Sequence, residues 1–170
     1  MITNYKSFLE YKTQNVESTI ILNGHEVPEF WYHGTNKYFK RFDLKYMASN
    51  FEQSILGIYF SQYIEPGIYG STAKEYAEDL VVRQGGKPYV YKCKINLKNP
   101  LILDSSGWYS TNTYIDKNRN DLKRYIERNN YDGLISYNFD SKKTDGLAWA
   151  DLILVTNKIS NIEIIKIIEL

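Results

Sequence analysis

Pro88-Tyr89-Val90-Tyr91-Lys92-Cys93-Lys94-Ile95-Asn96-Leu97 decides the fold class. Tyr89, Tyr91, Cys93, Ile95 and Leu97 fall on one side of a period-two pattern. Val90, Lys92, Lys94 and Asn96 fall on the other, as in a half-buried β-strand. Asn99-Pro100 breaks the run. Upstream, residues 29 to 34 (Glu-Phe-Trp-Tyr-His-Gly) are dense in aromatics and read as a second strand, and Ile55 to Phe60 as a short third. Between them and the opening run, Thr72-Ala73-Lys74-Glu75 matches a capping box, with Thr72 as N-cap and Glu75 reaching back. The helix it starts puts Ala73, Tyr76, Ala77, Leu80 and Val81 on one face and ends at Gly85-Gly86. Downstream, residues 119 to 129 read as a helix with Leu122, Tyr125 and Ile126 inward. Gly133 to Tyr137, Leu152 to Val155 and the isoleucine-rich 162 to 168 read as strands. Residues 4 to 15 suggest a short helix with Tyr5, Phe8 and Leu9 on one face. Strands outnumber interspersed helices, so the class is α+β.

The 170 residues suit a single domain, 1 to 170, with no repeat or low-complexity linker. Hydrophobic residues at 43% and charged residues at 24% describe a globular chain. A net charge of +1 supplies no global field for nucleic acid or membrane, so any such partner must meet a local patch. Lys37, Lys40, Arg41 and Lys45 form one such concentration. A solvated face is its ordinary role and DNA or RNA contact its functional one. The single cysteine, Cys93, allows no internal disulfide and suits a reducing compartment. No signal-peptide pattern opens the chain and no run of about 18 apolar residues occurs, so no membrane partner is expected. The expected setting is cytoplasmic, that of a host if the chain acts as a toxin, and the expected state is a monomer.

Candidate chemistry is sparse. Two histidines, His25 and His33, and one distant cysteine offer no metal-ligand spacing. Gly-rich phosphate loops and Gly-x-Ser-x-Gly are absent from the sequence. His25, in the turn-like Asn23 to Pro28, reads as an exposed loop residue. His33 follows three aromatics and precedes Gly34, which would let a ligand approach the backbone closely. Taken alone, His33 reads as a satisfied histidine at a strand end.

Three segments change that reading when taken together: Tyr32-His33-Gly34-Thr35; Gly57-Ile58-Tyr59-Phe60-Ser61 followed by Ser71-Thr72-Ala73-Lys74-Glu75-Tyr76-Ala77; and Asp151-Leu152-Ile153-Leu154-Val155. In this order the chain resembles the ADP-ribosyltransferase superfamily on its diphtheria-toxin and poly(ADP-ribose) polymerase side, marked by a His-Tyr-Glu triad. The resemblance covers roughly residues 30 to 160 as a pattern. It implies a split β-sandwich with an NAD-binding cleft and flanking helices, NAD⁺ as substrate, and a mono-ADP-ribosyltransferase releasing nicotinamide. His33 would bond the adenosine ribose and Gly34 the carboxamide through its backbone. Thr35 completes the same NAD-binding strand. Tyr59 would stack on nicotinamide, with Tyr76 closing the other face. Ser71 or Thr72 would hold the carboxamide, with helix capping as the equal alternative. Asp151 would take the catalytic glutamate's place.

These residue types suit the chemistry. An aromatic face attracts the cationic nicotinamide ring, and a fixed carboxylate stabilises the charge that builds on the ribose as the glycosidic bond breaks. There are two departures. Aspartate is shorter than glutamate by about 1.5 Å of reach, which keeps Glu75, Glu78 and Asp145 in reserve. Arginine-modifying relatives carry Glu or Gln two residues before the catalytic acid, where this chain has Trp149. Arginine is therefore disfavoured as acceptor, and Trp149 is expected on the acceptor loop, with a core position as the alternative. The acceptor is a protein or a nucleic acid. An NAD glycohydrolase with the same site, or an inactive module binding NAD⁺, ADP-ribose or a protein partner, are the other expectations.

Overall fold

The alternating run and the aromatic run form neighbouring strands. A computed structural model describes residues 5–7, 21–22, 25–46, 55–62, 73–105, 111–138 and 151–170. The elements, in order, are β1 (Tyr5–Ser7), β2 (Ile21–Leu22), β3 (His25–Glu26), β4 (Phe30–Thr35), β5 (Ile58–Ser61), helix α1 (Ala73–Gln84), β6 (Tyr89–Ile95), β7 (Pro100–Asp104), helix α2 (Thr111–Arg128), β8 (Gly133–Asn138), β9 (Asp151–Thr156) and β10 (Ile162–Glu169). Among the described residues eight strands make one mixed sheet in the order β1-β7-β8-β9-β5-β4-β6-β10, and β2 and β3 pair separately. The β7–β8 pair is parallel and the others are antiparallel. The class is α+β.

Two apolar clusters lie on the two faces. One joins Trp31, Phe60, Tyr91 and Cys93 to Ile102, Ile135 and Leu154, so strand side chains from both halves of the sheet meet in it. The other joins Leu101, Leu103, Leu134, Ile153 and Val155 to Ile115, Leu122 and Ile126 of α2. Strands β7 to β9 are therefore apolar on both faces, as buried sheet centres must be. The narrowest join is between β4 and β5. Among the described residues only Tyr32 and Ser61 pair there, whereas β4 pairs with β6 over six residues and β5 with β9 over four. Where two separate sheets were expected, hydrogen bonding runs on through this one-pair seam.

Helix α1 packs on β4 at Gly34. A Cβ built on Gly34 would lie 1.8 Å from the Ala73 carbonyl oxygen and 3.0 Å from the Ala77 nitrogen. Its buried face is Ala73, Ala77 and Leu80, the expected stripe, with Tyr76 and Val81 half-buried. Gly85 ends the helix at φ 74°, its N–H donating to the Val81 carbonyl at 2.8 Å. Thr72, the expected cap, lies outside the described residues.

Four readings need correction. Residues 5–7, expected in a helix, form β1 on β7, with Tyr5 opposite Leu103. Pairing at the sheet edge overrides local pattern there, and the rest of that expected helix lies outside the described residues. The alternating run is broken before Pro100 as expected, but β6 already ends at Ile95 rather than at residue 97, and Pro100 opens a further strand, β7, at a first position that proline tolerates. Helix α2 begins at Thr111, eight residues before the expected start; Asn and β-branched residues hide its first turns from a propensity reading. His25 is in β3, paired with Leu22, rather than in a loop. At the far edge, β10 shifts register against β6 between Ile164 and Lys166, leaving Ile165 44% exposed.

Two predictions follow from the packing. Gly34→Ala forces a methyl against the α1 backbone and should cost about 1–3 kcal/mol, lowering the thermal midpoint by about 3–10 °C. An unchanged melt would show that α1 withdraws freely. Cys93 is fully buried, and burial pushes its thiol pKa up to about 12. It should resist a disulfide reagent at about pH 8 in the native protein and react fully in denaturant. Rapid native labelling would count against this core.

Candidate functional site

The three motif strands are consecutive neighbours, β9-β5-β4. On β4, the His33 imidazole reaches across the seam, and Nδ1 lies 2.8 Å from the Tyr59 carbonyl oxygen. A carbonyl only accepts, so Nδ1 carries the proton and donates. Phe42, Phe60 and Phe39 surround the ring at centroid distances of 5.3, 5.6 and 6.5 Å. Burial lowers the imidazole pKa below its ordinary 6.5, with the Tyr59 carbonyl bond opposing. The ring is therefore neutral at pH 7, and the lone pair sits on Nε2, an acceptor suited to a hydroxyl donor.

Tyr59 alternates with Ile58 and Phe60. Those two join the cluster around Trp31, while Tyr59 packs against the α2 cluster with Ile55, Tyr125 and Tyr131. Its hydroxyl pKa is raised, chiefly by burial, with Asp116 adding and Arg119 opposing. Asp116 and Arg119 themselves pair at 2.8 Å across one turn of α2. Thus the His33 and Tyr59 rings lie on neighbouring strands but opposite faces of the sheet. What joins the two residues is imidazole to backbone, and the expected single cleft lined by both rings is not what the geometry gives.

Gly34 is fully covered by α1, so the helix uses the close approach that glycine allows here. Thr35 is buried, and its Oγ1 accepts from the Lys37 N–H at 3.3 Å, starting the turn after β4. Tyr76 is half-buried on α1, and burial first, then Asp79, raises its pKa against Arg83. Glu75 and Glu78 are exposed on the same helix. Asp151 opens β9 in register with Asn138, two residues before Ile153, the partner of Ser61. Ser71, Thr72, Asp145 and Trp149 lie outside the described residues.

Two groups beside the site escaped the sequence reading. Phe39 stacks on Tyr91 at 4.2 Å and 8°. The Tyr91 hydroxyl accepts from the Phe39 N–H at 2.7 Å and donates to the Phe39 carbonyl at 2.9 Å. This fixes the loop beside His33. The signal was the Phe39–Phe42 spacing in a stretch otherwise polar and basic. The second group is Asp116–Arg119: Asp116 lies in the first turns of α2, ahead of the expected start at residue 119, so the pair is not visible from the expected helix alone. Among the described residues there is no group of three or more His, Cys, Asp or Glu placed to hold a metal, and no helix long and apolar enough to cross a membrane. Comparison with protein-family models, curated proteins and solved structures found no match for this chain.

The neutral imidazole has a pH signature. The unfolded chain takes up its proton near 6.5, whereas the folded pKa is lower. The stabilisation is therefore complete above pH 6.5 and is lost as pH falls from there through the folded value. His33→Asn keeps a donor but cannot titrate. Its urea midpoint should fall less steeply than wild type between about pH 7 and 5, and parallel curves would mean the ring is not held neutral.

Proposed function

We propose that this chain is an NAD-dependent mono-ADP-ribosyltransferase, which moves ADP-ribose from NAD⁺ to a macromolecular acceptor and releases nicotinamide. One observation carries the reading. Three segments far apart in sequence, around His33, Tyr59 and Asp151, occupy three consecutive strands, and a 2.8 Å bond ties the first two. Under this reading the sheet is a split β-sandwich opened at the β4–β5 seam. The dinucleotide crosses the seam where pairing stops after Tyr32 and Ser61. Adenosine lies on the His33 side, where the Nε2 lone pair accepts a ribose hydroxyl. Nicotinamide lies on the other side, against Tyr59 and Tyr76. Asp151 stabilises the charge that develops on the nicotinamide ribose. The enzyme works as a monomer in a reducing, cytoplasmic setting, which a lone buried Cys93 tolerates.

Two observations favour a second reading, an NAD⁺-binding module without turnover: the carboxylate is the shorter aspartate, and the His33 and Tyr59 rings face opposite ways. Purified protein incubated with labelled NAD⁺ and cell lysate, with nuclease and protease controls, separates the possibilities. Nicotinamide release with covalent label on an acceptor supports the transferase, and release without label indicates a glycohydrolase. Asp151→Asn should keep NAD⁺ binding and lose roughly 100-fold or more in turnover. His33→Ala should weaken both. Wild-type turnover in Asp151→Asn would move the chemistry to another carboxylate. A wild-type protein that binds NAD⁺ and never releases nicotinamide would leave only the binding module.

A further inference from the structure

We infer that the loop following β4, residues 36–45, is a contact surface for single-stranded nucleic acid, and that the acceptor of the proposed transfer is of that class. Lys37, Lys40, Arg41 and Lys45 are all exposed there. The loop's one carboxylate, Asp43, pairs with Lys45 at 3.2 Å and lies near Arg41. Lys37, Lys40 and Arg41 make no ion pair among the described residues. Tyr38 sits within the same run at 56% exposure, held edge-on by Tyr89 at 5.8 Å, which leaves a ring face to solvent.

The loop is a built frame. Phe39 is clamped on Tyr91 by stacking and two hydrogen bonds. Phe42 is buried in the core. Asn36 donates from Nδ2 to the Gly85 carbonyl at 2.9 Å and accepts from the Lys87 N–H at 3.3 Å. Cations held on a rigid frame neutralise phosphates with little ordering cost, and an exposed ring between them gives an unstacked base a face to lie on. A duplex offers no such base, which favours a single strand. An anionic membrane is the other polyanion, but surface insertion draws on an apolar face, and besides Tyr38 the loop exposes only Leu44.

Phe39 and Phe42 pack on His33, so a strand lying on the loop runs beside the proposed NAD⁺ site. In the transfer the bond from ribose C1′ to nicotinamide breaks, and a nucleophile of the strand bonds C1′ and gives up its proton. That acceptor role rests on the transferase reading, whereas the binding surface stands without it.

Fluorescence anisotropy on the full chain tests the surface, with a labelled single strand of about 15 nucleotides, the matching duplex and anionic phospholipid vesicles. Single-strand binding should weaken as salt rises. The triple variant Lys37→Ala/Lys40→Ala/Arg41→Ala should bind at least about tenfold more weakly, with a shallower salt dependence, each lost contact removing about 0.7 from the slope. Tyr38→Ala should weaken the single strand about tenfold and leave the duplex unchanged, with Tyr38→Phe restoring the loss. Thermal midpoints equal to wild type show the variants are folded. No single-strand binding, binding indifferent to both variants, or preferential capture by vesicles would overturn the inference. Nicotinamide release from the same preparations keeps the readings apart. Protein that turns over NAD⁺ and ignores the strand sinks this inference, while protein that holds the strand and releases no nicotinamide sinks the transferase and leaves the surface.

Discussion

The bond from the His33 imidazole to the Tyr59 carbonyl is where two halves of the molecule meet. To one side, β4, β6 and β10 form a half-sheet with α1 on it, and to the other, β5, β9, β8 and β7 carry α2. Among the described residues the main-chain ladder supplies one residue pair at the junction, and a side chain adds a hydrogen bond across it. Such a join is costly to build, because an imidazole must be desolvated among Phe39, Phe42 and Phe60. The low basicity that results keeps the ring neutral, and the bond to the Tyr59 carbonyl fixes the tautomer and leaves the lone pair on Nε2, away from the seam. Geometry, protonation and the position of the seam are thus one constraint.

Much of the architecture was legible because burial writes a clear period. The alternation from Tyr89 to Ile95 became β6, and Tyr91 and Cys93 are fully enclosed. The isoleucine-rich tail became β10, and Gly85-Gly86 closed α1. Elements stayed hidden where the period is absent. Leu101, Ile102 and Leu103 are buried on both faces, so β7 shows no alternation, and a proline stands at its start. The first turns of α2 are rich in Asn and Thr, and only tertiary packing makes them helical. β1 exists because an edge was open to it.

The candidate site was legible as residue types and less so as geometry. His33, Tyr59 and Asp151 could be chosen from their motifs, and the sheet does gather their strands. Which face each ring takes depends on strand parity around a one-pair join, which no local pattern encodes. Gly34 shows the difficulty from another side. In the sequence its missing side chain suggests room for a ligand, while the nearest atom to the missing Cβ belongs to the backbone of Ala73. A glycine in a strand signals close approach without naming what approaches.

The register shift in β10 bears on how the molecule ends. Among the described residues this strand is the outermost on its side, eight residues long and mostly isoleucine. Such a border is a template on which another chain can zip. The slip between Ile164 and Lys166 means that a straight visitor would keep step for only a few residues before its side chains fell on the wrong face. Glu163, Lys166 and Glu169, all exposed, place charge along the same border. A greasy margin is thereby kept from polymerising by a miscount in its own backbone as much as by its charges.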